Sequence, residues 1–150
     1  MVNKIIIIEA KVKEAQEIRK LEEKVWGEDV VNKYDIPMFV RFGYVFVAKD
    51  KGKIIGAICS YFTKVGELYV CDWVVDKNYQ GKKIGTDLYK ALIKKSKQVS
   101  LVSFINYRSV KSFELHKKLG FKIVKKVNDP YCIKENNLDK GACFLVKFKK

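Results

Sequence analysis

Trp73-Val74-Val75-Asp76-Lys77-Asn78-Tyr79-Gln80-Gly81-Lys82-Lys83-Ile84-Gly85-Thr86-Asp87-Leu88 is the stretch on which the fold turns. It reads as the end of a buried strand, a polar turn and a glycine-bearing entry into a helix. The strand rests on Leu68–Val75, an apolar run rich in Val, Trp and Tyr. The helix rests on Ile84, Leu88, Ala91 and Leu92, whose three- and four-residue spacing puts them on one face. A strand feeding a helix through glycines makes an anion site. The first helical turn has unpaired N–H groups, and its dipole favours negative charge. Gly81 and Gly85 are expected to let a phosphate approach the backbone, with Lys82 and Lys83 adding positive charge.

Two nucleotide motifs fail on this stretch. No Gly-x-x-x-x-Gly-Lys-Ser/Thr is present, and Gly81 and Gly85 have the wrong spacing for Gly-x-Gly-x-x-Gly. The stretch instead resembles motif A of the GNAT superfamily of acyl-CoA N-acyltransferases, Gln/Arg-x-x-Gly-x-Gly/Ala. Gln80 and Gly85 fit, Gly81 is common there, and Lys83 stands where the family has glycine. A second stretch, Ser109 to Phe121, resembles the family's motif B at Ser112, Leu115, His116, Lys118, Gly120 and Phe121. The leading Asn of that motif is Ser109 here, with Asn106 three residues earlier as a stand-in.

Around these motifs the chain reads as strand Ile5–Glu9, a helix from Val12 to Val25 and a short helix near Pro37. Strands Tyr44–Ala48 and Lys53–Phe62 follow, joined by a tight turn at Lys49-Asp50-Lys51-Gly52. After the strand ending at Asp76 come helix 82–97, strand Val99–Asn106, helix 109–119 with Gly120 as its C-cap, and strands Phe121–Val127 and Ala142–Phe148. A polar loop spans Asn128–Gly141. The order β-α-α-β-β-β-α-β-α-β-β predicts a mixed α/β fold (α+β mixed) in one domain, residues 1–150. It matches the GNAT fold: a central, mostly antiparallel sheet of about seven strands with helices on both faces.

A chain of 150 residues, 48% apolar and 13% aromatic, has the material for a core. Residues 1–50 carry nine basic and nine acidic residues; residues 51–150 carry 22 and eight, which is the whole net charge of +14. A basic half suits an anionic partner. Lysine supplies 28 of the 31 basic residues, whereas base-edge readers rely on arginine, so nucleic acid is not favoured. Cys59, Cys71, Cys132 and Cys143 with a single histidine lack metal-ligand spacing, and no metal is expected. With no signal peptide or membrane-length apolar run, the expectation is a cytoplasmic protein with reduced thiols and no membrane contact.

The resemblance implies that acetyl-CoA, or another acyl-CoA, lies in an opening between the strand ending at Asp76 and the strand Val99–Asn106. Backbone groups of Trp73, Val74 and Val75 would pair with the pantetheine arm like an added strand. N–H groups of Gln80, Gly81, Lys82, Lys83, Ile84, Gly85 and Thr86 would hold the pyrophosphate, and Asn106 and Ser112 are side-chain contacts. The chemistry is direct attack of an amine on the thioester. It needs a neutral amine, a donor to the carbonyl oxygen (Val74 or Val75 N–H) and a proton for the thiolate. His116 occupies the family's proton-donor position. The family's strand carboxylate maps nearest to Tyr69, so the base is open: Glu67 first, on the face shared by Tyr69, Cys71 and Trp73; Asp72 second, on the other face; or a water chain. A nucleic-acid module and a CoA-binding sensor without turnover are the competing readings. The acceptor, a small-molecule amine or a peptide or protein amine, is left open, as is monomer against homodimer.

Overall fold

The computed structural model describes residues 4–28, 30–132 and 142–149. By internal packing the chain divides into two compact units, residues 1–97 and 98–150. Among the described residues they hold seven strands and four α-helices in a mixed α/β fold. The strand pairings within each unit are antiparallel.

The first unit is a meander of β1 (Ile6–Glu9), β2 (Val45–Asp50), β3 (Lys53–Phe62) and β4 (Leu68–Val75), with helices α1 (Ala15–Trp26), α2 (Asp35–Phe42) and α3 (Ile84–Ser96). The β2–β3 hairpin turns on Lys51 and Gly52, both with positive φ, the pattern of a type I′ turn. Asp50, expected in that turn, pairs with Lys53 as the last residue of β2. Pro37 sits in the first turn of α2, where its missing N–H has no partner to lose.

Helices cover both faces of this meander. Ala57 and Cys59 of β3 join Ile18, Leu21 and Ile36 in one apolar cluster on the α1–α2 side. Gly56, one residue over and so on the opposite face, stands where a Cβ would meet Leu88 and Ile84 of α3 at 3.2 and 3.3 Å. The lack of a side chain there lets α3 lie close on the sheet.

β4 does not keep the simple alternation that its sequence suggests. Cys59 pairs with Asp72, but Ser60 pairs with Val70, so Cys71 is an extra residue in β4, a bulge. The bulge reassigns the faces. Tyr69 opposes Tyr61 and Asp72 opposes Cys59, so both lie on the α1–α2 side, whereas Trp73 turns to α3. The expectation that Asp72 faces away from Tyr69 is corrected by this one residue.

The second unit pairs β5 (Leu101–Asn106) with β7 (Ala142–Phe148), and β7 with β6 (Lys122–Asn128); α4 (Val110–Leu119) follows β5. Gly120 closes α4 in the left-handed region at φ 102, as its position predicts. Most of the polar loop Asn128–Gly141, residues 133–141, lies outside the described residues. All four cysteines are free thiols, with Cys59 and Cys143 buried. Among the described residues no helix is long and apolar enough to cross a membrane.

Candidate active site

The turn between β4 and α3 is held from three sides. Asp76, 2% exposed, accepts a bond from the Asn78 N–H at 3.0 Å and pairs with Lys24 of α1 at 2.7 Å. The Lys24 ammonium, with the Asn78 N–H, holds the Asp76 carboxyl below the usual range. Tyr79 donates its hydroxyl to Asp50 at 2.7 Å, and Gln80 donates its side-chain amide to the Val75 carbonyl at 3.1 Å. A short 3-10 turn, Lys77–Tyr79, carries the chain between these anchors.

α3 then starts at Ile84. Its first backbone bond runs from the Asp87 N–H to the Lys83 carbonyl at 3.0 Å, so the N–H groups of Ile84, Gly85 and Thr86 have no carbonyl one turn back. Ahead of them Gly81 takes φ +80 with open space around its missing Cβ. Lys83 takes φ 62. The residue that departs from the family's glycine therefore adopts the left-handed backbone a glycine would adopt, and the loop path survives with some strain. Lys82 places its ammonium 5.1 Å from the Tyr79 ring centroid. These features suit an anion: aligned free amides, a helix N-terminus and two exposed lysines.

Gly85 does a different job from the one expected of it. A Cβ on it would stand 2.7 Å from the Trp73 ring, and the Trp73 indole donates to the Gly85 carbonyl at 3.1 Å. The space freed by Gly85 is filled by tryptophan. It docks α3 on β4, and Trp73 in turn packs edge-on against Tyr89.

The β4 backbone also sorts itself. Asp76 N–H donates to the Ile55 carbonyl, and the register runs on as Val75↔Gly56, Val74↔Ala57 and Trp73↔Ile58. Antiparallel alternation then turns the N–H and C=O of Val74 toward β3 and those of Trp73 and Val75 away from it. The Val74 carbonyl lies 3.3 Å from where a Gly56 Cβ would be, in agreement. Of the two expected oxyanion donors, only the Val75 N–H faces outward.

The expected bases are placed far apart along the strand. Glu67 lies in the hairpin turn before β4, its N–H bonded to the Thr63 hydroxyl at 3.1 Å, with the eight residues of β4 between it and Asp76. Asp72 lies mid-strand, half-buried, on the side that carries Phe39, Tyr61 and Tyr69; Phe39 stacks on Tyr61 at 5.5 Å, and Tyr69 meets Tyr61 at a tilt at 5.3 Å. Burial raises the Asp72 carboxyl above the usual range, and Glu22 and the Trp73 N–H offset only part of that rise. Sequence reasoning missed Glu22. It occupies the apolar face of α1, where a carboxylate breaks the amphipathic pattern, and that break was the available signal.

In the second unit Asn106 folds back on its own chain. Its side-chain oxygen accepts from the Arg108 N–H and its carbonyl from the Ser109 N–H, both at 2.9 Å, a turn that starts α4. His116 is 3% exposed and packs edge-on against Phe121. Its Nδ1 lies 2.6 Å from the Ser112 carbonyl and 3.4 Å from the Ser112 hydroxyl. A carbonyl oxygen only accepts, so Nδ1 carries the proton and Nε2 of the neutral ring is an acceptor. Donation from Nε2 requires the imidazolium, and burial lowers the pKa of that form. His116 lines an apolar cavity of about 480 Å³ with Phe113, Phe121, Ile123 and Val146.

A family model described as the acetyltransferase (GNAT) family matches residues 12–121. No curated protein matches the chain. Solved structures of this fold do. An IAA acetyltransferase from Bacillus cereus is 21% identical with a TM-score of 0.76, covering 98% of this chain and all of that one. A GNAT family acetyltransferase from Elizabethkingia anophelis with acetyl-CoA bound is also 21% identical at 0.76, and both chains are covered in full. Ard1 from Thermoplasma volcanium is 15% identical at 0.79 over 97% of each chain. At these identities the likeness shows the fold. With the family match across most of its length, the chain belongs to the GNAT acetyltransferases, which are acetyl-CoA-dependent transferases.

Proposed function

We propose that this protein is a one-domain N-acetyltransferase that transfers the acetyl group of acetyl-CoA to a primary amine by direct attack in a ternary complex. One observation carries the reading: the turn from β4 into α3, where the N–H groups of Ile84, Gly85 and Thr86 lack helical partners beside Gly81, Lys82 and Lys83. These groups, with Gln80, would hold the pyrophosphate by charge and by backbone donors. The backbone groups of Trp73 and Val75 that face away from β3 would pair with the pantetheine arm.

In the chemical step an ammonium gives its proton to the Asp72 carboxylate, and the freed lone pair attacks the thioester carbonyl. The Val75 N–H donates to the oxygen as charge builds. The C–S bond breaks, the thiolate takes a proton, the amide nitrogen loses its second one, and Asp72 returns its proton to solvent. We assign the base to Asp72 over Glu67 because the bulge turns Asp72 to the aromatic side of β4, while Glu67 stays in the hairpin. The His116 tautomer makes it a weak donor at neutral pH, so thiolate protonation is assigned to solvent.

Proximity supplies much of the rate in such a transfer, so binding and turnover are tested together. Acetyl-CoA is incubated with the protein and with panels of small-molecule amines, peptides and protein N-termini, and thiol release is followed. Release that depends on one amine class is the expected result. Saturable acetyl-CoA binding with no release for any amine would contradict the transferase reading and favour a sensor.

A further inference from the structure

Glu22 is the residue of α1 that an amphipathic pattern does not explain. Its side chain is fully buried, and among the described residues no amide, hydroxyl or ammonium donates to either carboxyl oxygen. An isolated carboxylate in such a place is too costly to persist, so the group takes a proton or a partner. What it faces is acidic. Its carboxyl, the Asp72 carboxyl and the Cys59 sulfur lie within 4.8 Å of one another. Asp35 of α2 adds negative potential, the Cys71 thiol stands beside them on β4, and among the described residues no cation contributes to the environment of Glu22.

Two carboxyls this close cannot both be charged without a counter-ion. The proton belongs on the more buried one, where charge costs more. That is Glu22, at 0% exposure, against the half-buried Asp72. We propose that Glu22 is a positioning residue: it stays protonated and donates its hydrogen to the Asp72 carboxylate, which keeps Asp72 ionised and aimed for the ammonium proton. The proposal rests on the acetyltransferase reading with Asp72 as the base. Glu22 keeps its proton throughout; the transferred proton moves only between amine and Asp72. Burial raises both carboxyls, and their effects on each other follow this assignment: Asp72 pushes Glu22 further up, while Glu22 offsets part of the rise at Asp72. A divalent cation on Glu22, Cys59 and Asp72 is the rival resolution. Among the described residues it offers three protein donors, and burial holds the Cys59 thiol in its protonated form.

The test has two arms on the full chain. In the first, carboxyl carbons are titrated by NMR. Glu22 is expected to stay protonated across neutral pH, and titration near its ordinary value of 4.5 would overturn the pair. In the second, the pH profile of kcat/KM is compared for Glu22→Gln and Glu22→Leu. The amide keeps a donor, so Glu22→Gln should stay within roughly threefold of the parent with an unmoved profile. Glu22→Leu should lose roughly tenfold or more and move its acidic limb upward by about one pH unit, with KM for acetyl-CoA unchanged. An unmoved limb in Glu22→Leu, or one equivalent of bound Zn²⁺ after dialysis, would overturn the proposal. If no amine is acetylated, the transferase reading fails, and the NMR titration still decides the pair.

Discussion

The two halves of β4 behave differently. From Asp72 to Val75 the strand keeps an unbroken register with β3, and its end meets α3 in the way the glycine-bearing turn predicts. From Leu68 to Cys71 it also looks like a regular strand, yet the added Cys71 moves Asp72 onto the face of Tyr69. The first half shows that a turn motif encodes backbone shape locally. The second shows that one bulge reverses every inference about side-chain direction drawn across it.

The widest test of this difference is on the two carboxylates. Asp72→Asn should lower kcat/KM by about 10²-fold or more at neutral pH, while Glu67→Gln should stay within about threefold. The opposite ranking would mean that the bulge does not set the base.

Glu22 offers the next largest effect, in stability. Burial, and then the Asp72 carboxyl, push its pKa from 4.5 up to about 10. The folded state therefore keeps a proton that the unfolded chain releases. The contribution is present below 4.5 and falls by about 1.4 kcal/mol per pH unit as pH rises toward the folded value. Glu22→Gln cannot titrate, so its stability relative to the parent should rise from pH 6 to pH 8 in denaturant unfolding. A constant difference across that range would contradict the buried acid.

Two glycine positions sharpen the other half of the comparison. Gly85→Ala drives a methyl toward Trp73 and should cost about 1–3 kcal/mol, read as a lower unfolding midpoint. Lys83→Gly should do the reverse by relieving a left-handed backbone, gaining about 1 kcal/mol or less. A neutral Gly85→Ala would show that α3 does not rest on Trp73.

Much of this was legible in the sequence, for local reasons. Apolar periodicity located α1 and α3, and Gly120 marked the end of α4, because those signals depend only on neighbours in the chain. Lys83 shows the same legibility from the other side: the residue departs from the motif, and the backbone keeps the motif's conformation. What was hidden is non-local. The bulge at Cys71 is a property of pairing with β3, and the use of Gly85 depends on an indole twelve residues away. Glu22 and Asp72 meet only once α1 lies on the sheet. The histidine's role was unreadable because its tautomer is set by a carbonyl one turn back in α4.

The central claim is that main-chain amides at the start of α3 receive the coenzyme's diphosphate. Amide proton–nitrogen spectra recorded during a titration with acetyl-CoA test it directly. Saturable shifts concentrated at Gly81 to Thr86 are the predicted result. Shifts confined to the lysines of the second unit and abolished by modest salt, with residues 81–86 unmoved, would contradict it.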